Sequence, residues 1–137
     1  MLKEPTPSVA RVADSVFSQL QSAAPDVVDS HLSSLNFLFD KNCGRALQIV
    51  DQGGVKCFIA QDSRRKVFQV QGKTAADQYI VFPEHYCSCQ AFFYDTVGRG
   101  DAVYCKHQLA ARIADSLQRC VMAEVPDTVL AMMLITH

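Results

Sequence analysis

Cys87-Ser88-Cys89, followed after fifteen residues by Cys105-Lys106-His107, is the stretch of this 137-residue chain that decides its fold. Thiolate and imidazole are the ligands that zinc prefers, and three cysteines with one histidine form a standard closed structural set. Residues i and i+2 of an extended segment point to the same side, so Cys87 and Cys89 can reach one ion. We therefore predict that Cys87, Cys89, Cys105 and His107 bind one structural Zn²⁺ ion.

A helix is expected to begin at the second ligand pair, between Lys106 and about Arg119. Its apolar side carries Leu109, Ile113 and Cys120. Small alanines on the same helix would let it approach the metal closely. Pro126 ends it, and residues 127–135 predict a last, short apolar helix.

Upstream of the finger, the hydrophobic pattern changes from helical to strand-like near residue 54. Three apolar stripes at helical spacing precede that point: Val9–Leu20, Val28–Phe39 and Cys43–Val50. Three short runs rich in β-branched and aromatic residues follow it: Val55–Ala60, Lys66–Val70 and Tyr79–Phe82. The fold class is therefore α+β, with a small antiparallel sheet. We divide the chain into a helical segment (1–54), a sheet segment (55–83), the finger (84–122) and a helical tail (123–137).

Composition excludes several classes of protein. A hydrophobic fraction of 49% with 20% charged residues is typical of a globular chain. No apolar run reaches the roughly 20 residues that a membrane span needs, and residues 1–7 lack the apolar core of a secretory signal. The net charge of −1 disfavours binding of nucleic acid through bulk charge. The phosphate-binding pattern GxxxxGK[ST] is absent, so any ATP hydrolysis would belong to a partner.

The ligand pattern, with Ala110 three residues after His107, resembles the SWIM-type zinc finger. Four segments also resemble the short SWIM proteins of the Shu complex: Ser34–Phe39, Ala46–Asp51, His85–Phe92 and Cys105–Ala110. The resemblance implies a non-enzymatic, nuclear zinc protein of homologous recombination. It would pair with a small ATPase subunit that is a recombinase paralogue, as part of a larger assembly that includes the RecA-type recombinase. Together they would support recombinase filaments on single-stranded DNA.

Two alternative functions use the cysteines differently. A thiol redox protein could use the pair Cys87 and Cys89, if positive neighbours such as Lys106 lower their pKa values. A hydrolase would need Cys105 activated by His107, and residues two apart rarely present a nucleophile and its base correctly.

His85 reads as a residue outside the ligand set, because four ligands already complete a tetrahedron. Three further cysteines read as small core hydrophobes: Cys43, Cys57 and Cys120.

Two surfaces are candidates for binding partners. A basic group at the first strand turn, with an aromatic neighbour, would suit a weak contact with single-stranded DNA. Its members are Arg64, Arg65, Lys66, Phe68 and Lys73. The apolar stripes of the N-terminal helices are the candidate docking surface for a partner subunit, with Phe17 and Phe39 as the side chains to test.

Overall fold

The computed structural model describes residues 9–74, 76–83, 86–89 and 104–136, with side chains for residues 11–135 of these ranges. Five α-helices and five strands lie in these ranges. In chain order they are α1 (Val9–Gln21), α2 (Val28–Phe39), α3 (Lys41–Asp51), β1 (Val55–Ala60), β2 (Lys66–Gln71), β3 (Gln78–Phe82), β4 (Tyr86–Cys87), α4 (Lys106–Ser116), β5 (Val121–Val125) and α5 (Asp127–Thr136). A 3₁₀ turn, Pro25–Val27, precedes α2. None of the described helices is long and apolar enough to cross a membrane.

The sheet has the order β4-β3-β2-β1-β5 and is mixed. Strands β1 to β3 pair antiparallel, as the sequence predicts, and the short β4 adds to β3 in the same way. Strand β5 pairs parallel to β1, from Lys56–Val121 to Ala60–Val125. The prediction of a purely antiparallel sheet therefore needs this correction. Strand β5 also crosses the boundary that we place after residue 122, and the division into segments stays a prediction.

The end of α4 explains why a strand follows it. Gln118 has φ 56, a left-handed conformation that ends a helix. The Arg119 N–H then donates to the Ala114 carbonyl at 2.8 Å, and the Gln118 N–H donates to the Asp115 carbonyl at 3.2 Å. These two bonds form a Schellman motif, so the helix ends at Ser116 rather than near Arg119.

Alternate residues of the strands face two separate hydrophobic clusters. Cys57 and Ile59 of β1 belong to the cluster that includes buried residues of α1 to α4, whereas Phe58 and Ala60 belong to the cluster that includes Leu130 of α5. Since successive strand residues point to opposite faces, four helices cover one face and α5 packs on the other.

Helix α4 lies at the centre of the larger cluster. It packs against α3, α1 and four of the strands, and its alanines permit this close approach. Its completely buried apolar residues are Leu109, Ala110, Ala111, Ile113 and Ala114. Two of the remaining cysteines are fully buried, Cys43 and Cys57, and Cys120 is partly buried, which confirms their prediction as core residues.

The N-terminal stripes pack largely into the same core. Phe17 is only 3% exposed, and Phe39 packs on Tyr104 with ring centroids 5.7 Å apart. In contrast, the neighbouring Phe37 is 88% exposed. Phe17 is therefore a core residue and Phe39 is partly buried, so Phe37 is the better position at which to test the docking surface, which stays a prediction.

Candidate metal centre

The first ligand pair is held against the edge of the sheet. Strand β4 pairs with β3, which places Cys87 opposite Val81. One residue earlier on β3, the Ile80 N–H donates to Ser88 Oγ at 3.0 Å, and the Ser88 N–H donates to the Ile80 carbonyl at 3.1 Å. These bonds keep residues 87–89 extended along β3, so that the two thiols can share one side.

The second pair sits at the start of α4. Cys105 is the N-cap residue, with an extended backbone at φ −77 and ψ 167, and His107 lies in the first helical turn. Gln108 fixes this geometry: its Oε1 accepts from the Cys105 N–H at 2.9 Å, and its own N–H donates to Cys105 Sγ at 3.5 Å. This reciprocal arrangement is a capping box in which a cysteine takes the usual place of serine or threonine.

Gln108 also connects the two halves of the site. Its Nε2 donates to the Pro83 carbonyl at 3.3 Å, at the end of β3, and the side chain is 1% exposed. We did not single out this residue from the sequence. A cysteine followed three residues later by glutamine, where a helix is expected to start, is the signal that could have identified it.

The structure brings all four predicted ligands together. The ligand atoms of Cys87, Cys89, Cys105 and His107 lie within 4.8 Å of one another, and all four residues are buried. Cys87 Sγ lies 3.6 Å from His107 Nδ1. A tetrahedral zinc ion with bonds of about 2.3 Å to sulfur and about 2.1 Å to nitrogen separates these two atoms by about 3.6 Å. The group can therefore hold one metal ion, with Nδ1 as the histidine ligand.

The imidazole of His107 is fixed by its surroundings. Its ring packs on Tyr79 with centroids 4.5 Å apart, and its buried Nε2 has no hydrogen-bond partner among the described residues. An orphaned polar atom is costly in a protein interior. Metal binding at Nδ1 would fix the tautomer with the proton on Nε2.

Mutual contacts and burial shift the pKa values of two of the four candidate ligands, Cys87 and Cys105. Hydrogen bonds with Cys105 and Cys89, together with burial, raise the pKa of Cys87. A hydrogen bond with Cys87 lowers the pKa of Cys105, but the contact with Cys89 and burial outweigh it and raise the pKa to about 12. A redox pair needs a lowered pKa, and the pKa of Cys87 is shifted in the opposite direction.

One cation of the basic group at the β1–β2 turn forms an ion pair. Arg64 Nη1 forms an ion pair with Glu124 Oε1 at 2.8 Å, and Asp127 accepts from the Ser63 N–H at 3.1 Å. Phe68 is 5% exposed and belongs to the core, so it cannot stack on a base. The aromatic member of the group is thus unavailable for stacking, and the weak contact with single-stranded DNA stays a prediction. His85 lies outside the described residues.

The chain is similar to known proteins from several organisms that share one name. The chain is 31% identical over 119 residues to "Zinc finger SWIM domain-containing protein 7" of Homo sapiens, which covers 85% of this chain and 84% of that protein. The protein of the same name from Danio rerio is 34% identical over 124 residues, covering 88% and 87%. The Dictyostelium discoideum homolog is 28% identical over 102 residues, covering 74% and 65%. No protein-family model matches the chain.

Proposed function

The chain belongs to the family of zinc finger SWIM domain-containing protein 7, and from that premise we propose that its Cys₃His group holds one structural zinc ion. The observation that carries this proposal is the convergence of four buried ligand atoms from two distant segments. Three sulfurs and one imidazole are soft to borderline donors, which suit zinc better than magnesium or calcium.

The ion has a structural role in this proposal, because the protein supplies four ligands. A catalytic zinc keeps one position for water or substrate, and here all four positions are filled by residues that are at most 5% exposed. We therefore propose that the protein is not an enzyme. Zinc would fasten β4 to the first turn of α4 and so stabilise the surface that the two elements form.

The test is the metal content of the purified full-length chain. Elemental mass spectrometry should find one equivalent of zinc, and chelation should expose about three additional thiols to a thiol reagent. Absence of metal, or stoichiometric iron in place of zinc, would contradict the proposal. Reactivity of Cys87 and Cys89 in the untreated protein would favour the redox alternative.

We further propose that the protein acts in homologous recombination as a subunit of a Shu-type complex in the nucleus. Its partner would be a recombinase-paralogue ATPase subunit, and the pair would support the recombinase filament on single-stranded DNA. This role is supported by the family membership and by the four segments that resemble Shu-complex SWIM proteins.

Co-expression with candidate recombinase-paralogue subunits tests this role. A stable complex should elute as one species in size-exclusion chromatography, and it should lengthen the lifetime of recombinase filaments on single-stranded DNA. A zinc-loaded, folded chain that binds no such subunit and leaves the filaments unchanged would contradict the recombination role while leaving the zinc site intact.

A further inference from the structure

A cleft of about 440 Å³ lies beside the metal centre, between α3, the segment that follows β2 and the start of α4. We propose that this cleft binds the phosphodiester backbone of a single-stranded nucleic acid. The residues that line the cleft indicate phosphate as the group that it binds. The choice of a single strand rests on the proposed function.

The cleft is positively charged. Arg45 of α3, Lys73 after β2 and Lys106 of α4 line it, and no carboxylate lines it among the described residues. Three arginines outside the cleft form ion pairs: Arg64 with Glu124, Arg112 with Asp14, and Arg119 with Asp51. The three cations of the cleft have no such ion pair within the same part of the structure. They are therefore free to bind an anion.

The adjacent metal centre does not cancel this charge. A zinc ion with three thiolates and a neutral imidazole has a net charge of −1. Set against the three cations of the cleft, it leaves an excess of about two positive charges at this site. Cations carried by three separate elements can contact successive phosphates of a strand, and contacts of this kind give affinity without reading sequence.

Neutral hydrogen-bond donors complete the lining. Gln48 of α3, Gln52 at the C-cap of α3 and Gln71 of β2 line the cleft together with the cations. Arg45 and Gln48 are three residues apart, which places them on one face of α3, and Gln52 follows at the end of that face. Amide groups can donate to phosphate oxygens and can also contact base edges. His107 lies in the same lining and belongs to the metal centre.

The test measures binding of the full-length, zinc-loaded chain to a fluorescent 30-nucleotide oligothymidine by anisotropy at several salt concentrations. We expect the double variant Arg45→Glu/Lys73→Glu to bind at least tenfold more weakly than the native chain. The slope of log K against log salt should become shallower by about one to one and a half, since each single-strand phosphate contact contributes about 0.7.

The matched control is Arg11→Glu/Arg65→Glu, which makes the same change in net charge at two exposed cations outside the cleft. It should weaken binding less than threefold. Equal weakening by both pairs, or an absence of binding by the native chain, would overturn the proposal. If the first variant fails to fold, Arg45→Gln/Lys73→Gln replaces it, with an expected loss of at least threefold.

Competition identifies the source of the phosphate. An excess of unlabelled single strand should displace the probe, whereas millimolar inorganic phosphate or a mononucleotide should not. Displacement by the small anions at micromolar concentration would overturn the nucleic-acid assignment. Zinc content and partner co-purification, measured on the same variants, should stay unchanged, which separates a failure of this inference from a failure of the proposed function.

Discussion

Cys87 Sγ and His107 Nδ1 lie 3.6 Å apart, although twenty positions separate the two residues in the sequence. The contact joins the edge strand β4 to the first turn of α4, the most deeply buried helix of the protein. Closing a chain loop costs conformational entropy that grows slowly with its length. A metal ion held by both segments would offset that cost, so the site and the core should depend on each other.

Removing a metal ligand should therefore destabilise the whole fold. Apparent zinc-binding free energies of about 10–16 kcal/mol in finger peptides are comparable to the stability of a domain. We expect Cys105→Ala to lower the free energy of unfolding by at least roughly 3 kcal/mol and to abolish stoichiometric zinc. Thermal melts with and without chelator measure both effects.

The control is Cys120→Ala, a partly buried cysteine that is not among the four ligands. It should cost about 1 kcal/mol and retain zinc. A Cys105→Ala protein that melts like the native chain, without metal, would contradict a structural role for the ion.

Loss of the Gln108 side chain should weaken zinc binding and the fold almost as much as loss of a ligand. This side chain holds Cys105 in place and donates to the Pro83 carbonyl. Gln108→Ala leaves these buried groups without a partner, which should cost about 2 kcal/mol. Zinc affinity should fall by about 10- to 100-fold, as is typical when the support of a ligand is removed. Competition with a chromogenic chelator measures the affinity. Gln19→Ala, at an exposed position of α1, should change neither quantity.

The sequence predicted the helices and the grouping of Cys87, Cys89, Cys105 and His107 because each has a local signal. The stripe of α1 places Ala13, Phe17 and Leu20 in the core, as helical periodicity requires. The spacing of each ligand pair, with a helix expected at the second, predicted their convergence. The stripe of α2 likewise ends on Phe39, which packs against the core, whereas Phe37 lies off that stripe and is 88% exposed.

Strand β5 could not be predicted for a different reason. Four of its five residues, Val121–Val125, are apolar and Glu124 is the fifth, so the sequence lacks the regular apolar–polar alternation that would indicate a strand. The strand exists because β1 offers it a parallel partner, and that pairing depends on where α4 ends. Parallel pairing between segments so far apart in the chain has no local sequence signal.

Alkaline pH should destabilise the fold through its buried cysteines. Burial, with the charges of Asp115 and Cys57 adding to it, raises the pKa of Cys120 to about 12. In the unfolded chain a cysteine loses its proton near pH 8.5. Between about pH 9 and about pH 12 the folded state therefore holds a proton that the unfolded state has lost, and the free energy of unfolding falls as the pH rises.

Urea unfolding of zinc-loaded protein at pH 8, 9 and 10 measures this dependence. The free energy of unfolding of Cys120→Ala should decline less steeply with pH than that of the native chain. The two slopes should differ by no more than the release of one proton produces. Burial also raises the pKa of Cys43 and of Cys57, so part of the decline should remain in this variant. Identical slopes for the two proteins would contradict the assignment to Cys120.

Docking of the partner subunit on the N-terminal helices can be tested at Phe37. This side chain is 88% exposed, so Phe37→Glu should change the stability of the isolated chain by less than about 0.5 kcal/mol. If α2 docks the partner, the same change should weaken the complex at least tenfold, because it would bury an unpaired charge in the interface. Ile135→Glu is the matched control, since Ile135 is 77% exposed on α5, across the sheet from α1 to α4. It should leave the complex intact. The opposite result, loss of the partner with Ile135→Glu alone, would place the interface on α5 and contradict docking through α2.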